Sequence, residues 1–150
     1  MEPTPPPDAV LFACNYNVVR SPMAAALMRE LYGARVFVDS CGLRAGDQPD
    51  PFVAAVLEEI GVDLSRHEPK SFDELEDGSF DLVVSLTPQA QHRAVEMSRG
   101  RAVDIEYWPT ADPTLEGGAR AQRLEAYRQL RDALKARLIA RFGPPGAAQG

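Results

Sequence analysis

The chain has 150 residues, 45% hydrophobic and 25% charged, with 16 basic against 22 acidic side chains and a net charge of -6. That length suits one domain with a real core. The acidic balance argues against a nucleic-acid partner, which needs a broad basic surface, yet leaves room for a small anion held by backbone N–H groups. No apolar run approaches a membrane span, and MEPTPPPD lacks a signal peptide's basic start, so a cytoplasmic protein with no membrane partner is expected. With only Cys14 and Cys41, a disulfide scaffold is not expected.

Residues 1–8 are proline-rich and predicted to be a disordered tail, as are 143–150, GPPGAAQG; nothing divides residues 9–142 between them. Ala9 to Ala13, AVLFA, is apolar throughout, which suits a strand buried on both faces. Ser21-Pro22 predicts a helix N-cap followed by proline at the first helical position, with the helix running to Gly33. Residues 34–40, ARVFVDS, read as a second strand, and Pro51 to Ile60 as a helix closed by Gly61. Phe80 to Leu86 is a third buried strand, followed by a helix over Pro88 to Met97. In Ala102 to Trp108, Val103, Ile105 and Tyr107 alternate with Asp104 and Glu106, the pattern of an edge strand with one wetter face. A last helix covers 119–142, with Leu124, Tyr127, Leu130, Leu134 and Leu138 as its buried stripe. Alternating strands and helices predict a three-layer α/β/α fold on a four-stranded parallel sheet, whose ligands bind at the carboxyl ends of the strands.

The loop after the first strand lies at that end. In FACNYNVVRSPM (12–23), Cys14 leaves the strand and Arg20 follows five residues later, at the mouth of a helix. N–H groups in such a loop converge on one point, and the helix dipole adds positive charge. Such a setting favours the thiolate form of a cysteine placed there. Arg20 offers a planar fork for two oxygens of a phosphate-like anion. A thiolate can attack phosphorus while the guanidinium holds the equatorial oxygens. Taken alone, the Cys-x5-Arg spacing is common by chance, and a cysteine ending a strand is usually a small buried hydrophobe; the strand before it and the helix after it favour the chemistry.

VLFACNYNVVRSPMAAAL resembles the phosphate-binding loop of the low-molecular-weight protein tyrosine phosphatases, whose relatives include the thioredoxin-coupled arsenate reductases. Cys14, Asn17, Arg20, Ser21, Pro22 and Met23 match that pattern position by position. VDSCGL (38–43), GVDLSRHEPKSF, FDLVVSL and TADPT (110–114) resemble later segments of the family in the right order. The resemblance implies a phosphate-binding loop of Cys14, Asn15, Tyr16, Asn17, Val18, Val19, Arg20 and Ser21. It implies Cys14 as nucleophile, Arg20 as oxyanion clamp, and Asp112 as acid and then base, a residue whose bland alternative is an Asp-Pro turn. Ser21 would also donate toward the sulfur, and Asn17, Ser40 and His67 would form a hydrogen-bond network behind the loop, with Asn17 left-handed. The predicted activity is hydrolysis of a phosphate monoester, protein phosphotyrosine included, through a phosphocysteine. No cofactor or metal is implied.

The chain also departs from that family. Val19 stands where a second, protective cysteine is common, Tyr16 replaces a small glycine, and residues 43–49 lack the tryptophan that walls the pocket. Thr114-Leu115 follows Asp112-Pro113 instead of an aromatic pair. These losses leave the substrate open, a phosphoprotein or a small phosphomonoester. Arsenate reduction is the enzymatic rival, and would call on thioredoxin, a small external thiol or Cys41, because residues 85–97 hold no cysteine. A non-catalytic phosphate or phosphoprotein sensor is the binding-module rival.

Overall fold

The computed structural model describes residues 7–75 and 79–145. In chain order it has β1 (Ala9–Cys14), α1 (Arg20–Tyr32), β2 (Phe37–Gly42), α2 (Pro51–Glu58), β3 (Leu82–Ser85), α3 (Pro88–Ser98), β4 (Asp104–Tyr107) and α4 (Arg120–Phe142). Short 3-10 turns occupy Phe72–Glu74 and Pro113–Leu115. The four strands form one parallel sheet in the order β2-β1-β3-β4, the expected α/β architecture. Among the described residues, no helix is long and apolar enough to cross a membrane.

The central strand explains its own sequence. Val10, Phe12 and Cys14 face the core shared with α1, α2 and α4, while Ala9, Leu11 and Ala13 face the smaller core under α3. A strand covered on both faces has no position left for a polar side chain. On α4 all five predicted stripe residues are buried. That helix is clamped to the end of α2 by the Glu59 carboxylate, which accepts from Arg128 Nη2 and Arg131 Nη1, each at 2.8 Å. The arginines, Arg128 above all, hold the Glu59 carboxyl down at about 2.

Several predicted boundaries move, and each for a visible reason. β2 begins at Phe37, not at 34, because the N–H groups of Arg35 and Val36 still bond to Tyr32 O and close the preceding helix. It continues through Cys41 and Gly42, which pair with Ala13 and Cys14. α1 begins at Arg20 with Val19 at its cap and no side-chain capping bond, so Ser21 is not the N-cap. Pro22 is tolerated one turn in, since the first N–H groups of a helix have no intrahelical acceptor. β4 is an edge strand as expected; on its acidic face Asp104 is exposed and Glu106 is half-buried, accepting from Trp108 Nε1 and Arg141 Nε. Of the predicted tails, residues 1–6 and 146–150 lie outside the described residues. Asp8 and Gly143, also placed in tails by their composition, are tied in through Phe37 N–H and Tyr32 OH respectively.

Candidate active site

All four strand-to-helix connections meet at the carboxyl edge of the sheet: the first is the loop of residues 15–19, the second and third bond to it, and the fourth reaches Arg20 just after it. Every carbonyl from Cys14 to Val19 is engaged outside it. Leu43, Arg44 and Gly46 N–H groups take the oxygens of Cys14, Asn15 and Tyr16; His67 Nε2 takes Asn17; Asp50 N–H takes Val18; Met23 N–H takes Val19. The N–H groups of residues 15–19 donate to no acceptor among the described residues. A loop whose carbonyls all point away and whose N–H groups are uncommitted has the form of a cradle in which an anion can be held.

Asn17 is the hub of this loop. Its φ of 60° puts it in the left-handed region, which asparagine tolerates. Its buried amide donates to Ser21 Oγ at 2.8 Å and Ser40 Oγ at 2.9 Å, and accepts from Lys70 N–H at 3.0 Å. Asn17, Ser21, Ser40 and His67 therefore come together as the resemblance implied. Tyr16 has no positive φ, so its side chain strains nothing, and its ring is 56% exposed at the rim.

Two glycines that sequence reasoning passed over shape the loop. A Cβ on Gly42 would stand 2.8 Å from Asn15 O, Asn17 N and Arg44 O, all backbone atoms. A Cβ on Gly46 would stand 2.5 Å from Val18 Cγ1. Gly42→Ala is expected to push the cradle open, costing about 1–3 kcal/mol of stability by overpacking and raising the Ki for inorganic phosphate. A thermal melt and a phosphate-inhibition assay check both effects.

Cys14, 3% exposed, ends β1 beneath this cradle. Its Sγ lies 2.9 Å from Ser21 Oγ. Because Asn17 Nδ2 donates to that oxygen, Ser21's single proton goes either to the sulfur or to Cys41 O at 3.2 Å. Arg20 Nη1 donates to Thr110 O at 3.1 Å, and Nη2 lies 4.0 Å from Asp112 Oδ2. Asp112 proves to be a turn residue as well as a neighbour of the cradle. Its Oδ1 accepts from Thr114 N at 2.9 Å and Thr114 Oγ1 at 2.6 Å, while Oδ2 faces Arg20.

His67 shows how the loop is backed. A carbonyl can only accept, so the contact to Asn17 O places a proton on Nε2. Burial lowers the pKa of this histidine, with Lys70 and Arg29 adding repulsion. A lowered folded pKa means that the unfolded chain binds the extra proton first. Stability is then full above about 6.5 and falls as the pH drops below it. Replacing His67 with Gln, which keeps a donor, is expected to flatten that part of the stability-against-pH curve in urea melts.

Further contributors carried no signal strong enough to single out. Thr87 caps α3 and donates to Asn15 Oδ1 at 2.8 Å. Asp50 caps α2, and its other carboxylate oxygen accepts from Tyr127 OH at 2.7 Å. An Asp or Thr before Pro is a recognisable cap pattern, but its tie to the loop is tertiary. Cys41 is removed as an internal redox partner. It faces the α3 core and Cys14 the opposite one, so their Cβ vectors point apart across the sheet. Burial also pushes its thiol far up.

Fold and loop together define an α/β domain with an oxyanion cradle closed over a cysteine. The family described as low molecular weight phosphotyrosine protein phosphatase matches residues 9–140. A glutaredoxin arsenate reductase from Synechocystis sp. is 29% identical over 129 residues, 86% of this chain and 92% of the relative. A protein-arginine-phosphatase from Geobacillus stearothermophilus is 31% identical over 144 residues, 86% of this chain and 90% of the relative. The solved structure of an arsenate reductase in the phosphate binding state superposes with a TM-score of 0.73 at 29% identity, covering 91% of this chain and 99% of that one. The chain belongs to the low molecular weight phosphotyrosine protein phosphatase family, which holds both phosphatases and arsenate reductases.

Proposed function

We propose that the protein is a cysteine-dependent phosphatase that hydrolyses a phosphate monoester through a phosphocysteine. One observation carries the reading: the carbonyls around Cys14 all point outward, leaving five N–H groups beside Arg20 and the sulfur. The cradle and the Arg20 fork hold three phosphoryl oxygens, and Cys14 Sγ attacks phosphorus in line with the leaving oxygen. Asp112 Oδ2, across from Arg20, gives its proton to that leaving oxygen. A water then attacks the phosphocysteine, Asp112 takes its proton, and the sulfur leaves with the Ser21 proton turned toward it.

A second reading, arsenate reduction, is favoured by the similarity to the Synechocystis reductase. Arsenate fits the same cradle by shape and charge. With Cys41 on the far face, the reducing thiols would come from outside the chain. Turnover of a generic aryl phosphate under reducing conditions, without added metal, tests the first reading. Hydrolysis supports it; no hydrolysis, with arsenate-dependent oxidation of glutathione or thioredoxin, supports the second.

A further inference from the structure

Beside the cradle stand two cations that the mechanism does not use. Arg120 and Arg123, in the first turn of α4, stack on the Phe52 ring with guanidinium carbons 5.5 and 4.8 Å from its centre. Both side chains are exposed, and neither pairs with a carboxylate among the described residues. Farther along the same helix, Arg128, Arg131 and Arg141 have acidic partners, while Arg137 stacks on Trp108 without one among the described residues. Helix stability does not account for the two at its start, because the amino end of a helix dipole repels cations, and this first turn carries no acid.

Their place relative to the site is set by Phe52. It follows Asp50, which holds Val18 O of the cradle through its N–H and Tyr127 OH through its carboxylate. The Phe52 ring packs edge-on at 5.2 Å against Tyr127, whose hydroxyl donates to Asp50 Oδ2. The two guanidiniums therefore sit on the same strap, Asp50 to Phe52, that holds the cradle at Val18 O. Aromatic stacking pre-orients each guanidinium and leaves its N–H edge free, the arrangement suited to a carboxylate.

We propose that Arg120 and Arg123 form a substrate subsite that reads acidic side chains flanking the phosphorylated residue of a phosphoprotein. The inference rests on the phosphatase reading and adds the substrate class to it. In a chain of net charge -6, an unneutralised cationic pair at the rim selects for acidic sequence while the rest of the surface repels it.

The test compares two synthetic phosphopeptides, identical except that flanking Asp residues in one are Asn in the other. Hydrolysis is measured with the full chain at low and high salt. The wild type is expected to prefer the acidic peptide about tenfold in kcat/KM at low salt, the worth of two partly exposed charge pairs, mostly through KM. The ratio should fall toward one at high salt and in Arg120→Gln/Arg123→Gln, and Arg120→Glu/Arg123→Glu should favour a Lys-flanked peptide. Being a ratio, it is insensitive to how much of a variant folds. Equal rates for both peptides in the wild type, or a preference that survives the double substitution, overturns the proposal. Failure of the phosphatase reading looks different: the wild type turns over neither peptide nor an aryl phosphate. Anisotropy of the same peptides on Cys14→Ser then decides, with an arginine-dependent acidic preference supporting the subsite and its absence overturning it.

Discussion

Cys14→Ser is expected to lower turnover of an aryl phosphate by roughly four to six orders of magnitude, the loss typical of removing a covalent nucleophile. Phosphate affinity should survive. In the proposed mechanism the N–H groups of residues 15–19 and Arg20 hold the anion, and none of these depends on the sulfur. The smaller hydroxyl fits the same buried place and keeps a hydrogen bond to Ser21 Oγ. A hydroxyl beside that serine has no base to activate it, whereas sulfur is intrinsically the better nucleophile at neutral pH. Steady-state kinetics and phosphate titration of the variant check the two halves of this prediction. Loss of both together would mean that the cradle had collapsed, which a thermal melt detects.

Asp112→Asn is expected to reduce kcat by about two to four orders of magnitude, the usual worth of a positioned acid or base. The substitution is nearly pure in structural terms. Asparagine keeps a carbonyl oxygen for Thr114 N–H and Thr114 Oγ1, so the turn at Pro113–Leu115 persists. What disappears is a transferable proton at the position facing Arg20. The loss should therefore depend on the leaving group. A phosphate ester of a strongly acidic phenol needs little protonation and should form the phosphocysteine at a nearly normal rate. An alkyl ester should be slowed by the full amount. A burst of phenol followed by slow turnover would place the remaining defect at the water step. A uniform loss across leaving groups would assign Asp112 a positioning role only.

How much of this was legible in the sequence depended on whether the signal was local. AVLFA reads as a doubly buried strand because every residue in it must avoid water, and the α4 leucines read as a stripe because they recur at helical spacing. The loop of residues 14–21 was marked by the strand before it, the helix after it and its likeness to a family motif, since the Cys14 to Arg20 spacing alone is common by chance. The boundary errors came from tertiary context. Ser21 is a good N-cap by type, yet the Asn17 amide and Cys14 claim its hydroxyl and the helix starts two residues earlier than predicted, at Arg20. The 43–50 strap that captures the loop carbonyls left no pattern, because it works through backbone N–H groups, which any sequence supplies. Gly42 is required only because three backbone atoms crowd it, two from the 15–19 loop and one from Arg44 two residues on. Cys41 could be separated from Cys14 only once strand register put them on opposite faces.

Covalent phosphorylation of Cys14 is read out by rapid acid quench of the Asp112→Asn variant during hydrolysis of a radiolabelled aryl phosphate, followed by digestion and peptide mapping. Slowed attack of water should let the intermediate accumulate, with the label on the peptide carrying Cys14 as an acid-stable, iodine-labile thiophosphate ester. Steady turnover with no label on protein, or label on another residue, would contradict the mechanism.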